Sequence, residues 1–289
     1  MGKTVAILLL TLLATACATT PTADVEQMNA VYYWRTELHL DSAETDFIGR
    51  HNISRIYCRY FDVVMNDASG PVPHATISLP EHVTTDIETV PTVFIVEDCM
   101  HQRHDSLARR IVDRIVQMNE THGVKGVKEI QIDCDYTRNS RDTYYAFLDK
   151  VRSEAQRHGL RLSTTIRLHQ LSMPPPPADE GVLMLYNTGD PAKFMERNPI
   201  LDMRDVQPYL THLAGYDLPL SAAYPVFLWQ RDIHGVRVEH TVEGDEILRV
   251  KHAVEHERKD LRQRIITYHL SEENINRYNT STYEEIYSH

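Results

Sequence analysis

The sequence predicts an α/β protein built as a single (β/α)8 barrel, and three observations carry that prediction. Eight short runs rich in β-branched and aromatic residues recur along the chain. Most are separated by segments whose apolar residues repeat with the period of an amphipathic helix. Together they occupy about 260 residues, which is the arithmetic of such a barrel. A doubly wound open sheet is the alternative, but no Gly-rich strand-to-helix turn supports it.

The elements follow in order. Ala30 to Leu38 (AVYYWRTEL) reads as the first strand, and Asp41 or Ser42 caps a short helix through Arg50. Arg55 to Val64 is the second strand. Residues 65–90, with Asn, Asp, Gly and Pro around HATISL, read as an insertion carrying a small strand of its own. Pro91 to Glu97 is the third strand. His104 to His122 is helical, because Leu107, Ile111, Ile115 and Met118 fall on one face. Glu129 to Asp135 is the fourth strand. Arg141 to His158 is the next helix, with Tyr145, Leu148, Val151 and Ala155 aligned and Gly159 as its stop. Leu160 to Leu168 is the fifth strand, followed by the stiff run Pro174 to Pro177. Gly181 to Tyr186 is the sixth, a helix spans Met203 to Ala214, and Leu218 to Trp229 is the seventh. A helix from Asp245 to Lys259 then leads to the eighth strand, Arg264 to Leu270.

The N-terminus reads as an export signal. Lys3 precedes a short apolar run, Thr4 to Leu13, and Ala14-Thr15-Ala16-Cys17 follows at once. The run is about half of the roughly twenty residues a membrane-spanning helix needs. The stretch resembles a bacterial lipobox, which implies cleavage after residue 16 and acylation of Cys17. Residues 1–16 are then a signal peptide, 17–29 a lipidated tether and 30–289 the barrel domain. The expected place is the cell envelope, with acyl chains on Cys17 in the outer membrane and the domain on its periplasmic or surface side. The net charge of −11 argues against nucleic acid and against a polybasic membrane-binding surface. Cys58, Cys99 and Cys134 match no zinc spacing and are expected as buried thiols, although export would permit one disulfide. No HExxH and no GxSxG occurs, and His252 and His256 lie on a charged helix, so no metal and no cofactor is expected.

In a barrel of this kind the chemistry sits where strands end. Asp133 and Asp135 close the fourth strand, and alternation puts both on one face, the interior. Two carboxylates so close resist joint ionisation, which would leave one as a proton donor. The bland reading is that they cap the next helix or pair with Arg138 or Arg59. Glu97, from the neighbouring strand, is the alternative acid. Arg59, Arg167, His169, Gln170 and Asn187 could hydrogen-bond a sugar, Trp34, Tyr186 and Trp229 could stack on one, and Asp232 is a further polar candidate across the mouth.

The segment EIQIDCDYTRNSRDTYYAFLDKVR resembles the fourth strand and helix of the chitinase-type, family 18 glycosidases. In that family a D-x-D-x-E strand end precedes the helix, the substrate's acetamido group is the nucleophile and the glutamate is the proton donor. Asp133 and Asp135 match the two aspartates, and Tyr144, Leu148 and Arg152 suit the helix, but Thr137 stands where the acid glutamate belongs. VYYWRTEL, IDCDYT, TIRLHQL and VLMLYNTG are also similar to an uncharacterised family of bacterial lipoproteins with a glycosidase-like barrel. The resemblances imply a glycan as ligand. Two functions are open: an envelope glycoside hydrolase using Asp133, Asp135 and Glu97, or a catalytically inactive carbohydrate-binding or envelope-assembly protein. The sequence leaves oligomeric state open.

Overall fold

The computed structural model describes residues 27–83, 87–233 and 235–289. The signal peptide read at residues 1–16 and the acylated Cys17 lie outside the described residues. The chain runs β1 (Met28–Tyr33), α1 (Ser42–Arg50), β2 (Ile53–Asn66), β3 (Gly70–His74), β4 (Glu88–Ile95), α2 (Leu107–His122), β5 (Glu129–Cys134), α3 (Arg141–Arg157), β6 (Arg161–Ile166), β7 (Glu180–Met184), α4 (Met203–Val206), α5 (Leu210–Leu213), β8 (Leu220–Pro225), β9 (Trp229–Ile233), β10 (Val236–His240), α6 (Gly244–Glu257), β11 (Arg264–Tyr268), α7 (Glu272–Ile275) and α8 (Thr280–Ile286).

Strands β1, β2, β4, β5, β6, β7, β8 and β11 pair side by side and in parallel. Because β1 pairs with both β2 and β11, the sheet closes into an eight-stranded barrel, and the open-sheet alternative is excluded. The expected insertion after the second strand is present: β3 folds back antiparallel on the long β2. Pro71 and Pro73 carry no N–H, which blunts this edge strand as a template for further pairing.

Local chemistry accounts for the helices. Asp41 caps α1 in a reciprocal capping box with Glu44. α2 buries Leu107, Ile111 and Ile115 and stops at Gly123, whose φ of 63° suits a residue without Cβ. The helix expected over Met203 to Ala214 is broken into α4, a single 3-10 turn and α5, because Pro208 has no N–H to donate. The expected seventh strand is also divided. β8 ends at Pro225, and Trp229–Ile233 instead forms a hairpin with β10 through a turn at Gly235, φ 79°. β-rich composition runs through both pieces, so composition alone could not separate them.

The barrel interior is unusually polar. Along β5 the residues Glu129, Gln131 and Asp133 face inward, and Ile130, Ile132 and Cys134 face the helices. β6 lies in register with Glu129 opposite Arg161 and Gln131 opposite Ser163. The side chains follow that register as a ladder: Arg161 Nη2 to Glu129 at 2.8 Å, Gln131 to Ser163 at 3.3 Å, and Thr165 Oγ1 to Asp133 at 2.6 Å. Tyr32 reaches across from β1 to donate to Gln131 at 2.8 Å. At the base, Arg55 pairs with both Glu88 and Glu129 at 3.2 Å, and Glu180 binds Arg264 and Ser221. Burial pushes the Glu129 carboxyl up, while Arg55 opposes that shift.

Cys58, Cys99 and Cys134 are free, buried thiols. Burial pushes Cys58 up to about 12 and Cys99 up to about 11. Among the described residues no helix is long and apolar enough to cross a membrane.

Glu129, itself buried, accepts from the guanidinium groups of Arg55 and Arg161, so removing it leaves the buried Arg55 with Glu88 as its one remaining ion-pair partner among the described residues. Glu129→Ala is expected to cost about 1.5–3 kcal/mol, read as a lower midpoint in urea unfolding. A midpoint unchanged from the wild type would show that the basal ion pairs contribute nothing.

Candidate active site

Register carries the β5–β6 ladder past the strand ends to the mouth. The position after Asp133–Thr165 is Asp135–Arg167, and the two side chains meet at 3.2 Å. Arg167 also donates to Asp133 Oδ1 at 2.9 Å and to Thr165 Oγ1 at 3.0 Å. One guanidinium therefore serves both aspartates. Burial alone would weaken its charge, but Asp133 and Asp135 outweigh burial and push its pKa up. The sequence offers Arg138 or Arg59 as a cation for the pair; the partner is Arg167 instead. The two aspartates differ in setting. The Asp133 side chain is 6% exposed, and that of Asp135 is 59% exposed at the rim.

Glu97 opens a 3-10 turn after β4 and reaches toward the β5–α3 loop. Its Oε1 accepts from Ser140 Oγ at 2.6 Å and from the Thr137 N–H at 3.1 Å. Ser140 stands at the N-cap of α3, yet its hydroxyl holds Glu97 and makes no capping bond. Thr137, at the position of the resembled family's acid, accepts from the Asn139 N–H with its own hydroxyl. Burial would raise the Glu97 pKa, but the bonds from Ser140 and Thr137 prevail and hold it below the ordinary 4.5. A carboxyl held this way is a poor proton donor near neutrality.

Beside this polar row stands an aromatic wall. Tyr186 stacks on Tyr268 with ring centres 4.6 Å apart, and Phe227 and Trp34 contact Tyr268 at 5.5 Å and 5.8 Å. The Arg59 guanidinium lies over the Trp34 ring at 5.5 Å and pairs with Asp62, its Nε 2.7 Å from the carboxylate. Against Tyr186 and the top of the row lies a pocket of about 230 Å³, lined by Asp135, Arg167, His169, Tyr186, Asn187, Thr188 and Tyr209 among others; Trp34, Phe227 and Tyr268 are not in its lining. This is below the roughly 300–1,000 Å³ of drug-sized sites, so its closed part suits a single ring. The Tyr186 hydroxyl is buried without a hydrogen-bond partner. Burial raises its pKa and keeps it protonated as a potential donor.

The structure thus brings Asp133, Asp135, Arg167, His169, Tyr186 and Asn187 together, with Trp34 and Arg59 on the adjoining wall and Glu97 behind the β5 loop. His169 Nε2 lies 3.8 Å from Asp135. Gln170 is fully buried and spends both ends on the fold: it accepts from the Arg167 N–H at 2.9 Å and donates to the Tyr136 carbonyl at 3.0 Å. It positions Arg167 and is not free for a sugar. Trp229 belongs to a second cluster, on the hairpin, with Phe194 at 5.7 Å and Arg231 over its ring. Asp232 is exposed on that hairpin and makes no ion pair among the described residues. Tyr209, Thr188 and Phe227 were missed because they lie beyond strands, where no periodicity marks them. Among the described residues no group of three or more His, Cys, Asp or Glu could hold a metal ion.

The Glu97 cradle makes a signed prediction. A carboxylate with a lowered folded pKa stabilises the fold above its ordinary value and loses that contribution as pH falls through the folded value. Ser140→Ala is expected to cost about 1.5 kcal/mol at neutral pH. The gap to wild type should close as pH drops below 4.5, and urea unfolding across that range reads it. A gap constant with pH would assign the loss to the bonds between Ser140 and the Thr137 backbone instead.

No family model matches the chain, and no curated protein matches its sequence. Solved structures do match. The barrel is similar to a chitinase from Chromobacterium violaceum, with a TM-score of 0.57 at 10% identity over 90% of this chain and 98% of that one. It is similar to the spore cortex-lytic enzyme SleL of Bacillus cereus, with a TM-score of 0.53 at 14% identity over 90% of this chain and 74% of that one. SleL of Bacillus megaterium gives 0.54 at 12% identity over 84% and 70%. At these identities the likeness establishes the fold: a (β/α)8 barrel of the kind that glycosidases use.

Proposed function

We propose that this protein is a lipid-anchored envelope protein that binds a glycan at the barrel mouth without the proton donor of a working glycosidase. The observation that carries the reading is the occupation of all three candidate acids. Asp133 and Asp135 are committed to Arg167, and Glu97 is committed to Ser140 and Thr137. What remains available is a set of groups suited to holding a sugar. Aromatic faces accept the C–H side of a pyranose ring, and Tyr186 offers a hydroxyl with no partner of its own. The similarity of the barrel to a chitinase and to cortex-lytic enzymes supports a glycan as the ligand class.

One observation favours hydrolysis as a second reading. Asp135 is exposed in the pocket wall and near His169, so it could exchange Arg167 for a substrate group. The full chain, solubilised in detergent, should bind one of a panel of envelope, host and plant oligosaccharides in calorimetry and release no reducing ends. Tyr186→Phe should weaken that binding roughly three- to tenfold, the worth of one hydrogen bond. Reducing ends that appear with wild type and vanish with Asp135→Asn would replace binding by hydrolysis as the function.

The anchor is proposed from the segment ending at Cys17. Cells fed radiolabelled palmitate should label the wild-type chain and not Cys17→Ser. Equal labelling of both would sink the lipid-anchor reading.

A further inference from the structure

A sheet edge that faces water is a template for another strand unless the fold blunts it. Among the described residues such edges remain on β3 and on the β9–β10 hairpin. Prolines blunt β3, whereas the hairpin carries none. Its register fixes which groups face outward. Ile233 and Val236 pair across the turn, and in a hairpin with two residues between them that closing pair exchanges both backbone bonds. Bonded and unbonded pairs alternate, so Val238 and His240 bond inward to β9, and the N–H and C=O of Arg237 and Glu239 point outward. Among the described residues these four groups have no partner. The side chains are accessible too. Val236, at the turn end of β10, is 59% exposed. Arg237 and Glu239 share one exposed face, 3.8 Å apart, and the Gln230 amide lies against Arg237 as well. With histidine neutral, the charges of Arg231, Asp232, Arg237 and Glu239 sum to zero over the hairpin, so two copies do not repel there.

We infer that β10 pairs antiparallel with β10 of a second copy of this chain, joining two hairpins into a four-stranded sheet. The sequence of the edge selects both the occupant and the register. With Val238 on the two-fold axis, Arg237 lies opposite the partner's Glu239, and Glu239 opposite the partner's Arg237. These are the residues whose backbone groups face outward, so each pair exchanges two bonds. The neighbouring registers fail on charge, because centring on Arg237 or on Glu239 sets like charges opposite each other. The corresponding register along β9 fails too, since it sets Arg231 against Arg231 on the axis. In the favoured register Val236 lies opposite the partner's His240 and gains cover from that ring. Five residues a side make a small contact, well under the roughly 800 Å² per partner of a standard interface, so the dimer is weak and exchanges readily. Neither the glycan pocket nor Cys17 takes part in the pairing.

The test traps the dimer, using the full chain in detergent with micelles in excess and the wild type as blank for its own cysteines. Val238→Cys puts two thiols at an unbonded antiparallel pair, where Cα atoms lie about 4.5 Å apart, within the range a disulfide closes. Mild oxidation should trap a covalent dimer of Val238→Cys roughly tenfold faster than of Asp232→Cys, which lies on the outer strand of the same hairpin. In the Val238→Cys background, Arg237→Glu or Glu239→Arg should each slow trapping roughly tenfold, since both cross-strand pairs become repulsive. Mixing those two variants should restore it, because every opposing pair then carries opposite charges, and recovery on mixing also shows that each variant is folded. Equal trapping of Val238→Cys and Asp232→Cys would overturn the pairing. Trapping of neither leaves the edge to a strand of some other protein and likewise overturns it. A rate that ignores the charge changes, or that mixing fails to restore, would overturn the register.

Discussion

A β-strand leaves unpaired N–H and C=O groups wherever it ends a sheet, and this chain avoids that exposure by pairing β1 with both β2 and β11. Closure has consequences well beyond hydrogen bonding. Side chains that alternate inward on eight strands must share one narrow space. Here many of them are polar, so each needs a partner already in place. The base meets that need with Arg55, Glu88, Glu129 and Arg161, and with Glu180, Arg264 and Ser221. The same closure separates a basal end from a mouth, and so assigns every loop to one of two surfaces.

The mouth is the upper end of the same polar ladder. Glu129–Arg161, Gln131–Ser163, Asp133–Thr165 and Asp135–Arg167 are successive rungs between β5 and β6. Their character changes with height. In the lower rungs Glu129, Gln131 and Ser163 are buried and paired, with Glu129 Oε1 left without a hydrogen-bond partner. At the top, Asp135 is more than half exposed, and a buried tyrosine hydroxyl waits without a partner. Structural ion pairing thus grades into a pocket within one pair of strands. The chemistry available there follows from that continuity, because the cation that lets Asp133 be buried is also the one that occupies Asp135.

Around Glu97 the fold solves a comparable problem with neutral donors. A carboxylate brought to the β5–α3 loop is met by a backbone N–H and by a serine that gives up its capping role. Thr137 takes part through its backbone, with its hydroxyl turned to Asn139. The loop that resembles a glycosidase's acid-bearing turn is therefore organised to receive a carboxylate from the neighbouring strand, not to present one of its own.

The sequence by itself determined the kind of elements and their order. Alternating and helical periodicities are local properties, and they marked the eight barrel strands, the α2, α3 and α6 helices and the insertion at β3. Alternation also placed Asp133 and Asp135 on one face. It did not mark the β9–β10 hairpin, since continuous β-rich composition hides a turn, nor the short C-terminal helices α7 and α8, which carry too few turns for a period. Tertiary structure decided closure, the Arg167 bridge and the removal of Gln170 and Trp229 from the pocket's lining. These depend on register between strands and on which end of the barrel a loop occupies. A residue's neighbours across a sheet lie about thirty positions away in this chain, beyond the range of any periodicity.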